Sequence, residues 1–389
     1  MMLPRTLSDS DSVSDLSGLS SDSDSDDSLA ARRKRQKKRS IKYDPSKDAH
    51  TLAECLRSRS PPSAPLLEIL PSLTHAQILA LRSEYKKHAK YAGQGINITK
   101  HIKMKLTTAT SFGKICYVTA LGRWEGEAYW ANFWYQSGAS RRELLIESLM
   151  GRTNEEVREI KAGFRDKRYG DSLEKCMRAE LKADKFRTAV LLVLDEKRME
   201  ETPYVRGEQV RDDVRRLGDA LASRSGGETA IIHIVVTRSD IHMREVLRLY
   251  EKTYAKNFAK EMLRKSTNLV VRQISSPCSE SRSCPQTSLA DELPHLHLQG
   301  ETLAHILNGI INRPVRDALL LHQALTAEVS KERIELLISR VIRYHWDRPH
   351  LEAIKREFRN RYGKELATVI AEGTKGDFGE FLVEAVIKH

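Results

Sequence analysis

From about residue 46 onward the apolar residues of this chain fall at helical spacing. Ile78, Leu81 and Tyr85 stand at offsets of zero, three and seven, and the same offsets return at Val157, Ile160 and Phe164, at Met243, Val246 and Tyr250, and at Leu351, Ile354 and Phe358. Such offsets bring side chains back to one face of an α-helix, so each triplet predicts a buried stripe. Four copies predict a fourfold internal repeat, with starts 79, 86 and 108 residues apart. The longest gap contains a Ser-, Pro- and Cys-rich stretch, Ser275 to Pro294, which reads as a loop inserted between the third and fourth repeats.

The flanks of each stripe repeat as well. An apolar run precedes every copy, at Leu66 to Leu70, Leu144 to Met150, Ile231 to Val236 and Ile334 to Ile342, and a polar turn separates the two. Thr74 with Gln77 and Thr153 with Glu156 fit the capping box, in which hydroxyl and third-residue side chain satisfy each other's backbone N–H groups. Asp347 with Pro349 marks the helix start in the fourth copy. Downstream, Tyr254 and Phe258, and Tyr362 and Leu366, continue in register, while Tyr169 and Leu173 are shifted by one. Ile231 to Val236 is β-branched enough for a strand, but its place in the repeat predicts a helix. The fold class is therefore all-α, with about five short helices per repeat. The expected layout is a tail over 1–46, repeats over 47–121, 122–200, 201–272 and 299–389, and an insertion over 273–298.

Composition narrows the class. Of 389 residues, 40% are hydrophobic, 30% charged and 6% aromatic, which suits amphipathic helices better than buried parallel strands. No run approaches the length of a membrane span and no apolar signal-peptide core opens the chain, so a cytosolic or nuclear protein is expected. Five scattered Cys without a Cys-x-x-Cys pair read as free thiols. The net charge is +12, which directs attention to phosphate-bearing partners. Residues 8–28 are dominated by Ser and Asp and read as disordered. The basic run Arg32, Arg33, Lys34, Arg35, Lys37, Lys38 and Arg39 follows. The seven Asp of residues 1–40 offset all but one of the basic side chains there, so the repeats carry nearly all of the surplus. The run itself reads as a nuclear localisation signal, a polybasic membrane tether, an RNA-contacting arm or a protein contact, and phosphorylation of the neighbouring Ser residues would neutralise it.

Enzymatic function has no support: no phosphate loop, nucleophile elbow or His-Glu-x-x-His helix is present. His345, Asp347 and His350 lie close in sequence, but Asp347 reads as a helix cap and the histidines as its flanks. His295 and His297 lack a third ligand nearby. Trp124, Trp130 and Trp134, with Tyr129 and Phe133, read as packing of the second repeat's first helix.

Four units of five helices, with the segments Ser148 to Lys161 and Val236 to Asp240 and above all the closing stretch Leu337 to Phe378, resemble the annexin core over residues 47 to 389. The resemblance implies a curved disc of four repeats that binds anionic phospholipid membranes peripherally with calcium. It also implies the form of the site. A loop between the first two helices of a repeat turns backbone carbonyls onto the ion, and an acidic side chain about 40 residues later closes the shell of six to eight oxygens that calcium seeks.

The sequence departs from that form in each repeat. The four loops read Ser58 to Ser63, Ser137 to Arg142, Ser225 to Glu228 and Ala327 to Glu332, and only the second and third keep glycine. At the place of the acid stand Thr108 or Ala109, Glu180, no acid over Arg264 to Leu269, and Gly373. Gly138 and Glu180 are thus the calcium site the resemblance implies. Basic residues occupy vacated loops, Arg59, Arg141, Arg142, Lys331 and Arg333, and suggest lipid binding that relies on side-chain cations. Nucleic-acid binding through the basic charge, or a helical scaffold for protein partners, are the alternatives from other classes.

Overall fold

The computed structural model describes residues 43–136, 142–223, 227–266, 298–326 and 330–388. The chain divides into units Met1–Asp44 and Pro45–His389, and the helices described below belong to the second. The basic run, the Ser/Asp segment and nearly all of the 273–298 stretch lie outside the described residues.

Five helices form the first repeat: α1 (Pro45–Arg57), α2 (Ala64–Ile69), α3 (His75–His88), α4 (Ile98–Leu106) and α5 (Ser111–Leu121). The second has α6 (Arg123–Gln136), α7 (Arg142–Leu149), α8 (Asn154–Gly163), α9 (Leu173–Glu180) and α10 (Lys185–Leu194). Then come α11 (Gly207–Ala222), α12 (Glu228–Thr237), α13 (Asp240–Tyr254), α14 (Phe258–Ser266) and α15 (Leu298–Thr326). The chain closes with α16 (Lys331–His345), α17 (Arg348–Tyr362), α18 (Leu366–Gly373) and α19 (Gly376–Ile387).

Helix α15 is two helices joined at Asn312, whose φ of −155° and ψ of 92° are not helical. The cause is Pro314, which has no N–H to give the carbonyl four residues back and crowds it as well. That carbonyl, of Ile310, is taken instead by Arg244 Nε at 2.8 Å, while Asn312 Oδ1 accepts from Val315 N at 3.2 Å and starts the second half. Leu303, Ile306, Leu307 and Ile310 belong to the apolar core shared by the second and third repeats. The first half of α15 is thus the fifth helix of the third repeat. Where the sequence places an insertion between repeats three and four, helix order places it before the third repeat's last helix. The apolar stripe that would have shown this is broken by the proline two residues past the repeat boundary.

All twelve stripe residues are buried, none more than 4% exposed. The helices they lie on begin as the polar turns foretell. Both capping boxes form, at Thr74 with Gln77 and at Thr153 with Glu156, and Asp347 accepts from His350 N at 3.3 Å. Ile231 to Val236 lie in α12, where tertiary burial of Ile231, Ile232, Ile234, Val235 and Val236 overrides β-propensity. A two-residue ribbon, β1 (Lys90–Tyr91) with β2 (Gln94–Gly95), has no counterpart in the sequence pattern. Its four residues are exposed and carry no hydrophobic alternation; it depends on Ala92 and Gly93, both at positive φ, which suits the tightest hairpin turn.

Repeats one and four pack together through α5 against α16 and α19, with Phe112 edge-on to Phe381 at 6.5 Å. His345 is buried between the carbonyls of Leu73 and Ala385, 3.1 Å from each. Repeats two and three share one core. Within the third repeat Asp213 of α11 is fully buried and accepts from Arg238 Nε at 2.6 Å, Arg238 Nη2 at 3.0 Å and His242 Nε2 at 2.9 Å, which fastens the turn between α12 and α13, and α13 itself, to one carboxylate of α11.

Replacing Ile354 by Ala is expected to cost about 2–5 kcal/mol and Thr153 by Ala about 1 kcal/mol, read from urea midpoints. Burial pushes the Asp213 carboxyl up, but His242 and Arg238 outweigh it and hold it down at about 2. A depressed folded value stabilises above the unfolded value of about 4 and is lost as pH falls toward it. Acid unfolding curves should therefore lose a component between about pH 4 and pH 2 in Asp213→Asn, and an unchanged curve would contradict this.

Candidate functional site

In the fourth repeat the second half of α15 ends in carbonyls that no later helical N–H reaches. Ser330 Oγ accepts from Arg333 N at 3.2 Å and so starts α16. One turn into that helix, the Arg333 side chain folds back. Its Nη2 donates to Leu325 O at 2.7 Å and its Nε to Ala324 O, and the residue is only 8% exposed. Gly373, at the end of α18, faces the same spot: a Cβ there would stand 3.7 Å from Leu325 O and 3.8 Å from Arg333 Nη2. The distal position lies beside the end of α15, and among the described residues the Arg333 guanidinium stands at their meeting point.

The first repeat reaches a similar arrangement by another route. Lys105, in the last turn of α4, places Nζ 3.4 Å from Arg57 O and 3.3 Å from Ser58 O at the end of α1. Arg57 itself pairs with Glu54 and donates to His88 O at 3.2 Å. Arg59 is exposed at the loop tip. Lys105 carries no distinguishing signal in the sequence, because a lysine ending an amphipathic helix ordinarily reads as a favourable charge on the helix dipole.

The second repeat is partly described. Gly138 and Arg141 lie outside the described residues. Arg142 opens α7, stands 3.7 Å from Asp184 and lies over the Phe186 ring at 4.9 Å, so it is tied to its own repeat. Glu180 ends α9 and accepts the hydroxyl of Tyr169. Burial and then that carboxylate push the Tyr169 hydroxyl up to about 12, which keeps it a donor. In the third repeat Ser225 and Gly226 are outside the described residues. Gly227 serves close packing, since a Cβ there would meet Ala220 O at 2.1 Å.

Of the five basic residues expected to face lipid, then, Arg59 and Lys331 are exposed, Arg142 and Arg333 are engaged internally, and Arg141 is not described. Arg333 departs furthest from expectation, because its side chain reaches eight and nine residues back along the chain. Calcium needs a shell of oxygens including a carboxylate. In repeats one and four the carbonyls of Arg57 and Ser58, and of Ala324 and Leu325, are bonded to a side-chain cation, and the acid position is Thr108 or Ala109, or Gly373.

Behind the loops lies a buried ionic network. Arg340, 1% exposed, donates to Glu147 from Nε at 3.0 Å and Nη2 at 2.7 Å. Arg343 spans Glu127 (2.8 and 2.9 Å) and Glu147 (2.9 Å), and Arg152 reaches Glu127 at 2.7 Å. Burial alone would raise Glu127, yet Arg343 and Arg152 hold it below the usual carboxylate range. Lys114 pairs with Glu335 at 2.5 Å in the same interior. The carboxylates come from α6, α7 and α16 and the cations from α5, α16 and the turn after α7, so the network joins the fourth repeat to the first and second. His350 leaves its sequence neighbours for Asp317, at 2.6 Å. His345, Asp347 and His350 thus serve three separate places, and among the described residues no group of three or more His, Cys, Asp or Glu converges. No helix among them is long and apolar enough to cross a membrane.

A family model described as Annexin matches residues 316–385. Annexin C1 of Cryptococcus neoformans var. grubii is 23% identical over 345 residues, covering 88% of this chain; the chain spans 65% of that relative's length. Annexin A1 of Equus caballus is 24% identical over 342 residues, covering 88% of this chain and 86% of its own. Among solved structures, a point mutant of annexin A8 with an intact N-terminus superimposes with a TM-score of 0.71 at 21% identity, covering 89% of this chain and 96% of its own.

Removing Glu147 would strand Arg340 without its carboxylate in the interior. Glu147→Ala is expected to destabilise the protein by about 3–5 kcal/mol, read by chemical denaturation, whereas an exposed pair such as Arg215–Asp212 should contribute under about 1 kcal/mol.

Proposed function

Because the chain belongs to the annexin family, whose general property is calcium-dependent phospholipid binding, we propose that it binds anionic phospholipid membranes peripherally through the loops between the first and second helices of its repeats, with side-chain cations in place of calcium in repeats one and four. The observation that carries this reading is Arg333, bonded to the Leu325 and Ala324 carbonyls beside Gly373. Lys105 supports it in the first repeat. A guanidinium or ammonium satisfies carbonyls as an ion does, but it is covalently held and needs no free calcium. It satisfies these carbonyls in advance of any ion, and Arg59 and Lys331, both exposed, are left to meet lipid phosphate. Each such cation contributes about 1 kcal/mol near an anionic leaflet, before salt screening.

Calcium keeps one candidate place in this reading, the second repeat with Gly138 and Glu180. The Tyr169 hydroxyl on one oxygen of Glu180 would compete with bidentate closure of the ion's shell and so weaken that site. The basic run Arg32 to Arg39 would add to membrane attraction, or to nuclear targeting, according to the phosphorylation of the preceding Ser residues. The proposed setting is cytoplasmic and peripheral, and the proposed activity is binding, not catalysis.

Co-sedimentation with phosphatidylserine and phosphatidylcholine vesicles tests this across chelator, calcium and salt. Binding to the anionic vesicles is expected to persist in chelator, to weaken as salt rises, and to drop several-fold in an Arg59→Glu, Lys331→Glu double variant. Binding that vanishes in chelator and returns in full with calcium would overturn the proposal, and salt-sensitive binding to RNA without vesicle binding would favour a nucleic-acid role.

A further inference from the structure

A cavity of about 300 Å³ opens between α7, α13, α15 and α16, walled by six arginines and four carboxylates. The carboxylates are all occupied. Glu147 holds Arg340 and Arg343, Glu156 holds Arg123 and Arg152, and Glu201 and Asp240 share Arg198. Including the neighbours that pair with the wall (Arg123, Arg340, Glu127 and Asp317) still leaves two positive charges over. They can be assigned. Among the described residues, Arg244 donates to the Ile310 carbonyl that Pro314 vacates, at 2.8 Å. Arg313 approaches Asp317 no closer than 3.9 Å, and Asp317 already holds Arg316 at 2.7 Å and His350 at 2.6 Å. Both arginines are exposed and line the cavity, and Arg244 is bonded to the Ile310 carbonyl three residues before Arg313, at the kink of α15.

We propose that this cavity is a binding site for a phosphate group, with Arg244 and Arg313 as the residues that recognise it. Two guanidiniums lining one cavity present the forked donors that match phosphate oxygens. The arginines behind them are matched by carboxylates, so the surplus positive charge rests with Arg244 and Arg313 and the wall carboxylates are already engaged. His305, on the same wall, is consistent with such a field: burial first, then Arg316 and its neighbours, hold the imidazole well below its ordinary value and so neutral. The room is sufficient for phosphate or pyrophosphate and too small for a folded chain. The positive surplus excludes a divalent cation as the occupant. The site shares no residue with the loops proposed to meet the membrane, so the two readings stand or fall separately.

The test is isothermal titration of the full chain with inorganic phosphate and with pyrophosphate, run beside Arg313→Gln, Arg244→Gln and the remote control Arg215→Gln. The expected result is binding by the parent protein that weakens tenfold or more, about 1.4 kcal/mol, in each cavity variant and is unchanged in the control. Arg313→Gln guards against misfolding, since its side chain is exposed and lacks a close partner. Vesicles bearing a phosphomonoester headgroup form the second arm. Loss in the soluble arm identifies a free phosphate compound as the source, and loss confined to the vesicle arm identifies the headgroup. Absence of parent binding in both arms, or equal weakening by Arg215→Gln, would overturn the proposal.

Discussion

A helix that ends at a turn leaves carbonyls that must find donors, and in this protein arginine and lysine side chains supply them repeatedly. Arg333 serves the end of α15, Lys105 the end of α1, Arg82 the last residue of α5 at 2.8 Å, Arg152 the Ser148 carbonyl of α7 at 3.0 Å, and Arg244 the carbonyl freed at Pro314. A fold of short helices has many such ends in few residues. Satisfying them with long cationic side chains ties those cations to the architecture and places them where they are not free to bind a partner.

That constraint decides which charges are left for binding. In the annexin form that the sequence resembles, an ion gathers loop carbonyls and a distal acid. Here, in the fourth repeat, one guanidinium gathers two carbonyls, and the distal position has shrunk to Gly373, which leaves it room. In the proposed reading, a carboxylate at 373, which a divalent ion would need, is superfluous beside a monovalent cation already bonded to carbonyls. Arg59 and Lys331 then become the outward charges, because Arg333 and Arg142 are held inside. The same logic sets apart Arg244 and Arg313, the cations left over once every carboxylate around the cavity is matched.

The repeat architecture is legible in the sequence because it is local. Stripes at helical spacing, Thr74 and Thr153 in their capping boxes, and Asp347 as a cap all rest on residues within one or two turns of each other. The repeat boundary at Asn312 is less so, since Pro314 breaks the periodicity where the third repeat's fifth helix ends, and the pattern credits that helix to the wrong unit. The ribbon at Lys90 to Gly95 has turn chemistry but no hydrophobic pattern. The ionic interior is not legible at all: Glu147 and Arg340 are 193 residues apart, and each looks in sequence like an ordinary charge on an amphipathic helix. Arg333 reads as a lipid-facing charge for the same reason, because the backward reach of a side chain leaves no periodic trace.

If a side chain, not calcium, organises the loop of the fourth repeat, the loop's order must be independent of the ion. Hydrogen exchange over the segment spanning residues 324–335, in chelator and in calcium, for the full chain and for Arg333→Ala, measures this directly. Equal protection of the parent protein is expected in both conditions, with a loss of protection in Arg333→Ala that calcium does not restore. Protection in the parent that appears only when calcium is added would show that the ion, and not Arg333, holds the loop.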